Sequence, residues 1–159
     1  MQDFPHHYSV VAIGEASGDV ALEGSRLPTL RSASPAEFDG PGDRWSPETL
    51  LVAAVADCFV LTFRAVAHAS KMSWATLRCE VGGTLDRVDR ATQFTRFDIR
   101  AQLQVPAGTN VEQARRALEK TEHVCLISNS LKAAIHLETE VDLAAEPFDT
   151  SAGAYAATS

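Results

Sequence analysis

With 159 residues, 45% of them hydrophobic and 22% charged, the chain has the size and balance of one folded globular domain and not of a disordered polypeptide. Its net charge of −7, with no run of Lys and Arg, excludes a nucleic-acid-binding surface, which needs clustered cations against phosphate. The opening Met1–Tyr8 lacks the basic region and apolar run of a secretion signal, and Asp57, Arg64 and His68 interrupt the longest apolar segment, so no membrane span and a cytoplasmic location are expected. In that compartment Cys58, Cys79 and Cys125 read as thiols or redox groups and not as a structural disulfide framework.

In chain order, Tyr8 to Glu23 alternates around a Ser17-Gly18-Asp19 turn and predicts a β-hairpin, with Leu27 to Arg31 as a third strand. Ser32 to Trp45, rich in Ser, Pro, Gly and Asp, reads as a loop long enough to serve a site. A helix of about 23 residues follows: Ser46 suits its N-cap, Pro47 its first position and Glu48 the first turn, where the dipole favours negative charge. It is apolar nearly all round and predicts the buried spine of the fold or of an oligomer. Two long strands, Trp74 to Arg87 and Thr92 to Val105, should form a hairpin, and in the second Phe97, Ile99, Ala101, Leu103 and Val105 take the inner face. Pro106 to Asn110 then caps a second helix with Ala114, Ala117, Leu118 and Thr121 on its buried stripe.

Ser128 to Lys132 turns the chain into a last strand carrying Ile135, Leu137, Thr139, Val141 and Leu143 on one face. The expected organisation is a single domain over 1–145, followed by an aperiodic, flexible tail over 146–159. The order defines an α+β fold, antiparallel sheets around a long buried central helix. One sheet per chain covers one side of such a helix, so two copies meeting helix to helix, a homodimer, are expected on packing grounds.

The segment Trp45-Ser-Pro-Glu-Thr-Leu-Leu-Val-Ala-Ala-Val-Ala-Asp-Cys-Phe59 resembles a signature of the OsmC and organic hydroperoxide resistance (Ohr) family. His123-Val-Cys-Leu-Ile-Ser-Asn-Ser130 resembles that family's second signature, and its cysteine lies 67 residues beyond the first, as in the family. The resemblance implies an intertwined homodimer and a thiol-dependent peroxidase that reduces organic hydroperoxides, with no metal, haem or other cofactor. It implies Cys58 as the reactive cysteine, Cys125 as the resolving one, Glu48 as a tuning carboxylate and a tuning arginine, for which Arg31 is the first candidate and Arg44 the second. A dithiol, such as a lipoyl group, would then reduce the disulfide. Asp57 and Leu126 depart from the family pattern, which has a small residue before the first cysteine and often proline after the second.

The residue types suit that chemistry. Thiolate is the nucleophile, and a thiol near its reference pKa of ~8.5 is mostly protonated at neutral pH. Cys58 lies about three turns into its helix, beyond the reach of the dipole, so a guanidinium held by Glu48 is the expected activator. Other residues have plainer readings: Cys79 shares a strand face with Leu77 and Val81 as a packing residue, and Asp57, Arg64 and His68 form a polar or interface stripe. His123 beside Cys125 makes no zinc site without a second ligand pair. Two other functions fit the same element order: a non-peroxidatic OsmC-like protein binding a small apolar ligand in the dimer cleft, and a hot-dog-like thioesterase.

Overall fold

The computed structural model describes residues 3–144, so the expected tail lies outside the described residues. The chain divides into two compact units, Met1–Leu51 and Val52–Ser159.

In the first unit, β1 (Val11–Ile13), β2 (Val20–Glu23) and β3 (Leu30–Ser32) form an antiparallel meander. Gly18 has a φ of 94°, inside the predicted turn. The third strand begins later than the sequence suggests: Leu27 turns back to donate its N–H to the Gly24 carbonyl, and Pro28 has no N–H to offer a ladder. The loop that follows folds on itself at a 3-10 turn, Ala36–Phe38, where Gly40 is obligatory because an added Cβ would stand 1.7 Å from the Ser34 carbonyl oxygen. Helix α1 (Pro47–Ala69) starts as predicted. Ser46 Oγ accepts from the Thr49 N–H at 3.2 Å and Thr49 Oγ1 accepts from the Ser46 N–H at 2.8 Å, a reciprocal cap that satisfies two otherwise orphaned donors.

The second unit holds the rest of α1, then β4 (Thr76–Val88), β5 (Ala91–Val105), α2 (Val111–Val124), α3 (Leu126–Asn129) and β6 (Ala134–Leu143). β4 and β5 pair antiparallel with one bulge at Thr84/Leu85, closed by Asp89 and Arg90, both at positive φ as a tight hairpin turn requires. β6 pairs with β5 in parallel, so this sheet is mixed where an all-antiparallel one is expected from the sequence. The reason lies in the connection: α2 carries the chain back along the sheet before β6 begins, as a parallel crossover demands.

The alternating residues of β5 are buried as predicted, Phe97, Ala101, Leu103 and Val105 completely. They meet a core that includes Ala114, Leu118 and Thr121 of α2 and Val55, Phe59 and Phe63 of α1, each fully buried. Phe63 also meets Trp74 edge to face, with ring centroids 5.2 Å apart. The predicted stripe of α2 is thus the side turned inward, and Asn110 caps the helix by accepting the Gln113 N–H at 3.1 Å.

Removing that cap should cost about 1 kcal/mol. Asn110→Ala is expected to lower the urea midpoint without changing the slope, whereas Asn110→Asp keeps the stability because its carboxylate accepts the same bond. Equal loss in both variants would show that the side-chain cap does not hold the helix start.

Candidate redox site

Cys58 lies just over three turns into α1, half-buried, on a flank of the helix between its buried and exposed sides. Its Sγ is 3.8 Å from Thr62 Oγ1, one helical turn on, the contact that i and i+4 side chains make. Cys125 is fully buried at the junction where α2 ends and the short α3 begins. The Cys58 side chain lies near enough to Cys125 to help raise its pKa, although the two come from different elements far apart in the chain. The fold thus brings near one another the two cysteines singled out in the sequence.

The surroundings of Cys125 hold its thiol protonated. Burial is the main cause of a raised pKa, and the neighbouring Cys58 adds to it, while the Ser128 hydroxyl and N–H oppose it. The hydroxyl contact is loose, since Ser128 Oγ is sealed from solvent without a well-formed hydrogen bond. Cys79 faces inward on β4 opposite Ala101. Burial pushes its thiol up to about 11, and the proximity of Cys125 contributes. Cys125 is therefore the common neighbour of two other thiols, and all three cysteines are free. Among the described residues no cluster of His, Cys, Asp and Glu could hold a metal ion.

In the first unit Glu48 stands in the first turn of α1 with Oε2 shielded from solvent and without a hydrogen-bond partner. It lines a mainly apolar cavity of about 620 Å³ with Val20, Leu22, Phe38 and Leu50. Neither candidate arginine is paired with it. Arg44 is held by Asp19 at 3.1 Å and Asp43 at 3.0 Å, and the Asp19 hydrogen bond, with both aspartates' charges, raises its pKa further. Arg31, exposed on β3, makes no hydrogen bond or ion pair among the described residues and lines a smaller hollow of about 310 Å³ with Arg44 and Trp45. Glu48 and Cys58 share one helix ten residues apart, or ~15 Å of axial rise, so no direct hydrogen bond joins them within a chain.

Sequence reasoning missed Thr62 and Ser128. Both were legible as spacings, i+4 from Cys58 on a helix and i+3 from Cys125 across a helix start.

The fold is α+β, with Cys58 and Cys125 near one another in its second unit. The family model described as OsmC-like protein matches residues 40–140, and the chain belongs to that family. The uncharacterized protein YmaD of Bacillus subtilis is 24% identical over 143 residues, 87% of this chain and 95% of its own length. Among solved structures, an OsmC-like protein of Vibrio cholerae superposes with a TM-score of 0.78 at 18% identity, over 85% of this chain and 99% of its own. An organic hydroperoxide resistance protein OsmC from Legionella pneumophila gives 0.68 at 24%, over 88% and 99%. One from Elizabethkingia anophelis, with thiocyanate bound, gives 0.72 at 17%, over 90% and 100%.

The Cys79 thiol supplies a prediction for alkaline pH. A pKa raised from about 9 to about 11 means that the folded chain keeps a proton the unfolded chain has lost. Its stabilising contribution is therefore full below pH 9 and disappears as the pH rises through about 11. Denaturant melts across this window should fall more steeply for the parent than for Cys79→Val, which has no proton to lose; parallel curves would show that Cys79 is not buried as a neutral thiol.

Proposed function

We infer that this protein is a cytoplasmic thiol peroxidase that reduces organic hydroperoxides and works as a homodimer. The observation that carries the reading is the proximity of Cys58 and Cys125, brought together from separate elements. The organic hydroperoxide resistance proteins among its structural neighbours support the substrate class.

The Cys58 thiolate attacks the outer peroxide oxygen, the O–O bond breaks, and the alkoxide leaves to take up a proton as the alcohol. Cys58 is then a sulfenic acid. The Cys125 thiol attacks that sulfur and expels water, closing a disulfide. A dithiol reductant opens it by two exchanges, leaving both cysteines reduced and itself as a disulfide. Cys125 suits the second role: buried and protonated, it resists peroxide until a sulfenic acid forms beside it.

Arg31 and Glu48 are the proposed tuning pair. Arg31 carries a charge that no other described residue uses, and Glu48 has a shielded, unpartnered carboxylate oxygen. Arg44 is already engaged by two aspartates and is the weaker candidate. A guanidinium near the thiol stabilises both the thiolate and the charge developing on the leaving alkoxide. The apolar cavity beside Glu48 favours a second reading, a non-peroxidatic protein that holds a small apolar ligand.

Alkyl hydroperoxide added to the reduced protein should give a Cys58–Cys125 disulfide by peptide mapping. Cys58→Ser should lose the reaction, Cys125→Ser should stop at the sulfenic acid, and Cys79→Ser should behave as the parent. Arg31→Ala should slow Cys58 oxidation nearly as much as loss of the thiol, with little change in Arg44→Ala. Full-rate oxidation in both arginine variants would remove arginine activation, and unreactive thiols in the parent would leave the ligand-binding reading.

A further inference from the structure

A serine or threonine on a helix commonly turns its hydroxyl back to the carbonyl one turn earlier. Ser70, at the end of α1, does so with Val66 at 2.9 Å, Thr121 with Ala117 at 2.7 Å and Ser130 with Leu126 at 2.8 Å. Ser128 does not. The residue is 5% exposed, and its Oγ is sealed from solvent without a hydrogen-bond partner among the described residues. A buried hydroxyl without a good acceptor costs stability, and in a folded protein such a group points to an acceptor formed at another stage of its work.

The backbone holds Ser128 in place. The Asn129 N–H donates to the Cys125 carbonyl at 3.0 Å and the Leu131 N–H to the Ser128 carbonyl at 3.1 Å, while the Asn129 side chain donates to the His123 carbonyl at 3.0 Å. Asn129 and Ser130 thus use their side chains to close the turn, and Ser128, the one buried residue of α3, keeps its hydroxyl uncommitted three residues beyond the fully buried Cys125. Burial is the main influence on the Cys125 thiol and raises its pKa; the hydroxyl and the N–H of Ser128 lie near enough to oppose it by favouring the thiolate. A neutral thiol accepts a hydrogen bond weakly and a thiolate accepts one strongly. The acceptor that suits Ser128 is therefore the Cys125 sulfur carrying a full negative charge. The effect belongs to these two donors and not to a helix dipole, for α3 has four residues.

We propose that Ser128 is the donor to the leaving sulfur when the disulfide of the cycle is reopened, so that the reductant attacks Cys58 and Cys125 departs as the thiolate. The inference rests on the two-cysteine reading above and adds the direction of its reductive step. A reductant thiolate bonds to the Cys58 sulfur, the Cys58–Cys125 bond breaks, and its electron pair leaves on Cys125, where the Ser128 hydroxyl holds it until a proton arrives. The second thiol of the reductant then attacks its own sulfur in the mixed disulfide and frees Cys58, so that two electrons have passed to the protein. Burial favours the same direction, since Cys125 is fully enclosed and Cys58 only half-buried. Exchange is faster when the departing thiol is more acidic. When the disulfide closes, the same donor raises the thiolate fraction of Cys125 and blunts its nucleophilicity, two effects that partly offset, so opening is the step that Ser128 moves most.

The test starts from the full chain oxidised with diamide, which closes the disulfide without peroxide. Addition of N-acetylcysteine, sampled early and quenched in acid, gives the rate of opening, and peptide mapping shows which cysteine carries the monothiol. In the parent it should be Cys58. Ser128→Ala should open roughly tenfold more slowly, the loss of one hydrogen bond to a charged sulfur, and Ser128→Thr, which keeps the hydroxyl, should recover most of the rate. In a Cys58→Ser, Cys79→Val background the ultraviolet absorbance of thiolate reads Cys125 alone, and Ser128→Ala should move its midpoint up by about one pH unit. Reduced Ser128→Ala should be at least as stable in urea as the parent, because it removes an unpartnered buried hydroxyl. A parental opening rate in Ser128→Ala, or a monothiol carried by Cys125 in the parent, overturns the proposal. Slower opening with an unmoved Cys125 midpoint and lower stability would make Ser128 a packing residue and overturns it as well. Failure of diamide to join Cys58 to Cys125 removes the two-cysteine reading and the role of Ser128 with it. A disulfide formed by diamide and not by hydroperoxide would count against the peroxidase alone, and the opening rates would still decide the role of Ser128.

Discussion

The constraint on which the rest of the molecule depends is that α1 is apolar on nearly every side and needs cover, while it carries a thiol in its middle. A helix rich in Ala, Val, Leu and Phe is easy to bury, and Val55, Phe59 and Phe63 vanish completely into the core. Cys58 is the size of a small hydrophobe and enters this sequence without an unsatisfied charge. The position alone says little about reactivity. What sets Cys58 apart from an isolated core thiol is that another element brings a second thiol near it. The junction of α2 and α3 places Cys125 there, and the N-cap of α2, the parallel crossover and the fully buried face of β5 fix where that junction lies.

Most of this architecture was legible in the chain. The polar-apolar alternation of β5 predicted its buried face residue for residue, and the stripe Ala114, Ala117, Leu118 and Thr121 predicted the inner side of α2. Ser46, Pro47 and Glu48 marked the start of α1. The direction of β6 was not legible, because strand periodicity states which face is apolar and is silent on whether the neighbour runs parallel. The short helix Leu126–Asn129 was not legible either, since four residues give no helical period, and the sequence signals only a turn over Ser128 to Lys132. At the site, the two cysteines were visible through their flanking motifs. The carboxylate and arginine were harder: the structure pairs Glu48 with neither Arg31 nor Arg44, and such a pairing depends on three-dimensional packing and leaves no spacing in a sequence.

The three cysteines illustrate how environment divides labour among identical side chains. Cys79 is pushed to about 11, mainly by burial, and is almost wholly neutral at physiological pH. Cys125 is also held protonated, but Ser128 works against burial by favouring its thiolate. In the proposed mechanism, that balance would suit a thiol that stays silent toward peroxide and then reacts with a sulfenic acid at close range. A resolving thiol gains more from position than from acidity, since its partner is presented intramolecularly at high effective concentration. Acidity matters for the first attack, where the substrate arrives from solution.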